Sequence, residues 1–430
     1  MKKKILPFLF LLFSLSLTAQ YTVKGGGGIP LLAEANSMQK IDVYFLNGLE
    51  GAEISFTSSG DYSHQWYKYK ESESDRVAVP CEQTGRTSVI KDIESGYGYF
   101  VSGSTYIWII NYRDYLPVFN SFIIGDAGED ICGTVNLIAD VDEKTIMYNY
   151  PNGIPKEIRR KYKLTYTTLE WNQDILSFID KAGEETLNSV GEISPTDTIL
   201  KDTEFTLTGD LFAEHFGLER KISTPVFQAV AVQAQADTAI IRKEFTNMSF
   251  EDMQYEIPEG DLGGSGPIDI TFTAYGNEPT ANSYAWRLRH PKLTPVTYYG
   301  KEFRYEFKEE GKYTVTLEVG NEACVDSTKT FNITISDFYI KIPNAFSPGG
   351  SPGVNDEFKV AFRSIAKFRG WIFSQWGNQL YYWEDPTKGW DGKVRGKVVP
   401  TGVYYFVCEV KTTDGKSRKF ASDVNVIRSK

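Results

Sequence analysis

Histidine is nearly missing from this sequence: there are three in 430 residues, His64, His215 and His290, each at least 75 residues from the next. No HExxH pattern occurs, which excludes the helical zinc site of the common metallohydrolases. Cysteine is also scarce. Cys81, Cys132, Cys324 and Cys408 form no CxxC pair, so a thiolate zinc site is not expected. In an oxidising compartment a Cys81–Cys132 bridge is one option, with Cys324 and Cys408 left unpaired or buried. Beyond residue 19 no stretch offers the roughly 18 to 20 apolar residues of a membrane helix. Phosphate-cradling loops are absent too, because "GGGG" at Gly25–Gly28 lacks the lysine and following helix. The sequence implies no cofactor.

What is present points to export. Residues 1–19, "MKKKILPFLFLLFSLSLTA", combine three lysines, a short apolar run and a small-residue end. That is the pattern of a secretory signal peptide cut after Ala19. Aromatic residues are plentiful, with 27 Phe, 26 Tyr and 8 Trp, and together with abundant Thr, Val and Ile they favour strands over helices. Charge is unevenly spread. The chain carries −10 overall, yet residues 338–430 hold 15 Lys and Arg against 8 Asp and Glu. A basic end on an acidic body fits either ordinary variation in surface charge or docking on an acidic partner or on lipid phosphates, while export and the acidic bulk of the chain argue against nucleic acid.

Turn clusters and strand patterns divide the chain as follows: signal peptide 1–19, flexible N-terminal segment 20–39, β domain 40–124, second β-rich domain 125–257, glycine-rich linker 258–265, third domain 266–337 and terminal module 338–430. In the first domain "IDVYFL", "AEISFT" and "YGYFVSG" alternate as sandwich strands do. Trp66, followed by Tyr97 in "DIESGYGYFV", resembles the core tryptophan and tyrosine corner of immunoglobulin folds. In the second, Ile175, Phe178 and Ile179 share one helical face, so "NQDILSFIDKAGEETLNSV" is expected to hold a short helix.

Chemistry finds little support. "GGSPG" fits the GxSxG nucleophile elbow around Ser351, but all three histidines precede that serine, and three prolines leave no helix after it. Asn355, Asp356 and Glu357 in "VNDEF" offer oxygen ligands without the spacing of a calcium loop, so solvated turn residues are expected. Tyr106, Trp108, Tyr298, Tyr299, Tyr381, Tyr382 and Trp383 could stack on sugars or pack across strands. No catalytic or metal-binding residue is assigned.

Two resemblances add to this. Residues 266–337, through "YAWRL" with Trp286 and "YEFKEEGKYTVTLEVGN" with Tyr313, resemble a PKD domain, an immunoglobulin-like sandwich; the likeness implies a spacer or recognition module. The terminal module, through "IPNAFSPGGSPGVNDEFKV", "QWGN", "GWDGK", "PTGVYYF" and "SDVNVIRSK", resembles the gliding-motility-associated C-terminal domain, or type B sorting domain of type IX secretion in Bacteroidota. Its structural anchors are then Asn344, Phe346, Pro348, Asn355, Asp356, Trp376, Gly377, Trp390, Asp391, Gly392, Gly402 and Tyr404, with Trp376 and Tyr404 keeping the tryptophan-to-tyrosine rhythm of the other sandwiches. By the habit of that phylum, "DTI" at Asp197, "DTA" at Asp237 and "DST" at Asp326 fit O-glycosylation sites. The whole reads as tandem immunoglobulin-like and PKD-like β-sandwiches ending in a β-sandwich module. The implied protein is exported and non-enzymatic, sits at the cell surface or outer membrane or is released, and meets a type IX translocon or outer-membrane receptor. Glycans or host surface proteins are further partners. A periplasmic location and a carbohydrate-binding or carbohydrate-active exoprotein are the alternatives.

Overall fold

The computed structural model describes residues 20–126, 128, 130–242, 262–349, 355–413 and 415–427; the expected signal peptide and Ser351 lie outside them. The chain divides into two compact units, one of residues up to Thr168 with Lys181–Gln228, the other of Leu169–Asp180 with everything from Ala229 onward. Strands dominate both. Among the described residues the helical segments are Leu211–His215 and two short 3-10 turns.

In the first unit a four-stranded sheet orders Gln20–Lys24, Glu53–Thr57, Thr87–Ile90 and Glu82–Thr84. A six-stranded sheet orders Leu31–Asn36, Ile41–Leu46, Tyr106–Asn111, Tyr97–Val101, Trp66–Tyr69 and Val77–Val79. Alternation sends Ile54, Phe56, Trp66, Tyr99, Ile107 and Ile109 into the core between them. The segment expected to be flexible, 20–39, is therefore two strands, one antiparallel to Glu53–Thr57 and one to Ile41–Leu46. Between them the chain turns at Gly25, whose φ of +102° and contact with the Ala52 backbone exclude a side chain.

The tyrosine corner sits two residues beyond the expected one. Tyr99, not Tyr97, is buried, and its hydroxyl accepts from the Glu94 amide at 2.8 Å. Tyr97 lies half-buried with the Lys68 and Lys70 ammonium groups over its ring. Both residues share a strand parity, so spacing could not separate them.

The six-stranded sheet is covered on its second face as well. Val43, Phe45, Tyr69, Trp108 and Ile110 pack against Tyr148, Ile158 and Ala213 of the second domain. That explains "IWII", four consecutive buried residues where a half-exposed strand would alternate. A buried polar network sits beside this interface. Arg160 donates to Asp210 at 2.5 Å and to the carbonyls of Tyr115 and Lys144 at 2.6 and 2.8 Å. Asp210 also receives the Tyr112 hydroxyl and, at 2.9 Å, the amide of Ala213. Burial first, and the Asp210 charge second, push the Tyr112 pKa far up, so the phenol remains a donor.

The second domain places Val118–Ile124, Leu137–Asp142 and Glu192–Ile193 in one sheet and Ser177–Leu187, Tyr162–Asn172, Thr206–Gly209 and Arg220–Ser223 in another. The expected helix over "NQDILSFIDKAGEETLNSV" is instead a β-hairpin. Asn172 accepts from the amides of Asp174 and Ile175 at 3.0 and 3.3 Å, and Leu176 takes a φ of +50°, which ends any helix.

In the second unit, Ala234–Arg242, Ile268–Gly276 and Glu302–Phe307 form one sheet of a sandwich. The facing sheet orders Leu262–Ser265, Thr330–Ser336, Gly311–Gly320, Ser283–His290 and Leu293–Tyr299. Trp286, Phe272, Phe303 and Tyr313 fill the core, and the Tyr313 hydroxyl accepts from the Glu309 amide at 3.1 Å. The expected linker 258–265 ends in a strand, because Leu262–Ser265 runs parallel to Ile333–Ser336. This sandwich is joined to the terminal module at Ser364, which is buried, has a φ of +56°, and bonds Ser265 Oγ at 2.7 Å and the Ser336 carbonyl at 2.8 Å.

Cys81 is a free, half-buried thiol, so it does not bridge to Cys132; Cys132 and Cys324 are disulfide-bonded and Cys408 is free. Their spacing alone held no information on pairing.

Two stability outcomes follow from the first unit. Asp210→Ala should strand the buried Arg160 guanidinium and cost about 3 to 5 kcal/mol, read by calorimetry as a lower first unfolding transition of the whole chain. A smaller loss in the double variant Arg160→Met with Asp210→Leu would confirm that the unpaired charge, not the cavity, carries the cost. The second concerns His64. Burial lowers its pKa below 6.5, so the unfolded chain takes the proton first, and stability, full above that value, falls as pH drops beneath it. His64→Gln should flatten the pH dependence of the same transition as pH falls below about 6.5.

Candidate functional site

The terminal module is built on a five-stranded sheet ordered Ala345–Phe346, Ser417–Val426, Gly402–Thr412, Ile365–Phe373 and Gln379–Trp383. Strand pair Tyr339–Lys341 with Ala361–Arg363 and hairpin Lys393–Val394 with Lys397–Val398 complete it. One face of the sheet is buried, and most of the expected anchors collect there.

Phe346 and Trp390 are fully buried, their rings 5.4 Å apart, with Phe358 at 6.1 Å from Phe346. Trp390 pairs its backbone with Phe358 at 2.8 and 2.9 Å, and its indole N–H donates to the Lys393 carbonyl at 3.1 Å. The Tyr404 ring meets Trp390 edge-on at 5.5 Å, while its hydroxyl donates to the Pro400 carbonyl at 2.9 Å. Asp391 caps the turn by accepting from the Lys393 amide at 3.0 Å. Gly392 has a φ of +72°, and a Cβ there would stand 2.4 Å from Pro348. Sequence blocks 44 residues apart thus meet through one glycine.

The remaining anchors are backbone-directed. The Asn344 carbonyl accepts from the amide and side chain of Asn425 at 2.9 and 3.0 Å, which holds the first strand to the last. Asn355, at a φ of +61°, accepts from the Ser347 amide at 2.8 Å, and half-buried Asp356 follows it. Gly402 opens the strand whose register sets it opposite Val426.

Trp376 is the exception. It is 81% exposed, in the Ser374–Asn378 turn with Gly377 at a φ of +79°. The hairpin between Ile365–Phe373 and Gln379–Trp383 is too short to fold an indole back, so Trp376 keeps no core rhythm with Tyr404. The core positions are held by Trp390 and by Trp383, which stacks on Phe406 at 5.6 Å and meets Phe368 at 5.7 Å. Sequence reasoning had Trp383 among candidate sugar-stacking residues and passed over Phe358 and Phe406. The parity of Tyr381 and Trp383 in their strand was the available signal. Of the other candidates, Trp108 is buried and Tyr299 is the most exposed.

The groups considered for chemistry have structural partners. His64 bonds Ser88, a serine–histidine contact of 2.7 Å, but both are buried, and Ser88 also accepts from the Trp66 indole at 2.8 Å. His215 bonds the Ile29 carbonyl at 3.0 Å and His290 the Glu310 carbonyl at 3.2 Å. Glu357 accepts from the Gly389 amide at 3.0 Å, and no group of three or more His, Cys, Asp or Glu that could hold a metal occurs among the described residues. Burial pushes the Cys408 thiol up to about 12, which leaves it unreactive.

Truncation should sort the anchors. Trp390→Ala, which empties a fully buried indole site, is expected to cost about 3 to 5 kcal/mol, and Tyr404→Phe, which removes one hydrogen bond, about 0.5 to 1.5 kcal/mol. Trp376→Ala should stay within about 0.5 kcal/mol. Urea unfolding followed at the terminal module checks all three, and a Trp376 cost as large as that of Trp390 would contradict this packing.

Residues 340–422 match the CHU_C type IX secretion signal domain, and residues 124–224 match a fibronectin type III domain. No curated protein matches the chain. Among solved structures it resembles dimeric latent PorU from Porphyromonas gingivalis at 13% identity and TM-score 0.16, over 76% of this chain and 36% of that one. It therefore spans little more than a third of PorU. A Ca2+-stabilized adhesin that helps an Antarctic bacterium reach out and bind ice aligns at 10% identity and TM-score 0.20, over 96% and 99% of the two chains. Immunoglobulin domains 1–5 of Sidekick-1 align at 10% identity and TM-score 0.23, over 93% and 82%. At these TM-scores the overlays carry no weight for function. No helix among the described residues is long and apolar enough to cross a membrane. The secretion signal domain implies export, dealings with the type IX machinery, and a cell-surface or extracellular location. The chain is thus an exported multidomain protein of tandem β-sandwiches, with a fibronectin type III domain at 124–224 and a type IX secretion signal domain at 340–422.

Proposed function

We propose that this protein is a non-enzymatic adhesion or scaffold component displayed on the outer membrane, or released from it. The observation that carries the reading is the secretion signal match over 340–422, on a module whose anchors Phe346, Trp390 and Tyr404 form one packed cluster. A signal read as a folded surface needs such a core, because only a fixed sheet presents the same side chains each time. The signal peptide at 1–19 would deliver the chain to the periplasm, and the terminal module would then engage the translocon or an outer-membrane receptor. The third domain, read as a PKD-like spacer, would carry the others outward. Fibronectin type III and secretion signal domains are non-catalytic kinds, which supports a binding or structural role over an enzymatic one.

Protease shaving of intact cells, read with antibodies to the first domain and to the terminal module, tests this. Both epitopes should be lost from intact cells or appear in the medium. Trp390→Ala should abolish that placement while leaving the first domain folded, whereas Trp376→Ala should not. Survival of both epitopes until the outer membrane is broken would make the protein periplasmic and refute display.

A further inference from the structure

The second face of the terminal module's sheet is open to solvent, yet it is not a typical solvent face. Beyond the irregularity at Ile365, odd-numbered residues from Lys367 to Phe373, and those of Gly402–Thr412 and Ser417–Val426, point outward along it. Toward the edge strand Gln379–Trp383, Trp371 and Tyr382 face each other across strands with rings 5.5 Å apart. Tyr405 sits opposite Phe373, and Tyr382, Val403 and Tyr405 are 41%, 46% and 45% exposed. Aromatic side chains exposed side by side on a sheet offer ring faces on which sugars stack.

One end of the same face is cationic. Lys367 and Lys411 are direct register partners, both exposed, and neither has an ion pair among the described residues. In the next row Arg369 and Lys419 flank a single carboxylate, Glu409, which Lys419 holds at 2.5 Å. These residues border a shallow groove that Arg418 also lines. Two like charges set directly opposite on a sheet destabilise it. In these two rows four cations face the one carboxylate of Glu409, while the acids Asp423, opposite Tyr405, and Glu384, bonded to the Tyr382 hydroxyl, lie at the aromatic end, so the cationic excess is confined to the lysine end.

The geometry points to an anionic-glycan site on this face: sugar rings stack on the Trp371, Tyr382 and Tyr405 surface while uronate, sulfate or phosphate groups of the same chain pair with Lys367 and Lys411. Charge complementarity selects an anion, and the aromatic strip, separated from the lysines by the Arg369–Glu409–Lys419 row, selects a ring-bearing polymer that spans both over a bare ion. The groove is open at the surface, as a long polymer requires. This rests on the surface placement proposed above but not on the module's export role, and the two fail separately.

Isothermal titration of the mature full-length chain with polygalacturonate, at about 50 mM ionic strength where screening is weak, should show binding that neutral pullulan does not. Lys367→Ala with Lys411→Ala should weaken it roughly tenfold, about 1.4 kcal/mol, and Tyr405→Ala should weaken it severalfold, without a lower thermal midpoint in the lysine variant, where a like-charge pair is relieved. Lys393→Ala with Lys397→Ala, a basic pair on the separate hairpin, should leave binding intact. The site is overturned if no binding occurs, if both lysine pairs weaken it equally, or if phosphatidylglycerol vesicles bind and polygalacturonate does not. It is also overturned if the Lys367/Lys411 variant binds polygalacturonate normally but loses surface placement in the shaving assay, which would assign the face to a protein of the export route.

Discussion

A phenolic hydroxyl that satisfies a backbone group four or five residues upstream recurs in three of the sandwiches, and their closure depends on it. Tyr99 meets the Glu94 amide, Tyr313 the Glu309 amide and Tyr404 the Pro400 carbonyl. Where a chain crosses from one sheet to the other, its backbone leaves one ladder before joining the next, and an unpaired group there is costly once buried. A tyrosine solves this with a single residue, since its ring enters the core while its hydroxyl remains at the edge. In each case an indole lies in the same core: Trp66, Trp286 and Trp390 are all fully buried. The pairing fixes where each strand enters, and therefore which residues face inward.

The first two domains add a different constraint. Their shared apolar surface would tolerate sliding, because aliphatic contacts are weakly directional. The Arg160–Asp210 pair is directional. Its donors and acceptors are spent on four elements at once, among them Tyr112 and the Tyr115 carbonyl of the first domain and the Ala213 amide of the second. Such a buried pair adds little net stability but fixes one arrangement, because any other leaves a charge without a partner. The outcome is a body in which the six-stranded sheet is covered on both faces.

How much of this could be read from residues alone varies with the signal. Alternation identified a β protein, likeness to immunoglobulin and PKD sandwiches singled out Trp66 and Trp286, and the blocks "GWDGK" and "PTGVYYF" marked the terminal module, because dense motif spacing survives without a structure. Register did not show. Tyr97 and Tyr99 share a parity, so only the strand pairing chooses between them, and Trp376 and Trp383 are separated only by where a hairpin turns. The hairpin over Tyr162–Leu187 carried a coincidental helical stripe. What decided it was local turn chemistry at Asn172 and Leu176. The polar network around Asp210 was invisible for another reason: Tyr112, Arg160 and Asp210 are 48 and 50 residues apart, and nothing in a single sequence links them.

The terminal module shows how one sheet can serve two requirements. Its inward face is packed with Phe346, Phe358, Trp390, Tyr404 and Phe406. Because the core lies on that side, side chains that would be poor choices for solubility can be kept on the outward face. Ordinary surfaces disperse apolar groups and alternate charges. This one gathers aromatics in two neighbouring rows and cations in the two rows beyond them, an arrangement that costs solubility and cross-strand repulsion while contributing nothing to the core. A face with those properties is explained by what approaches it, and the strand register fixes the spacing between ring and cation that a ligand would meet.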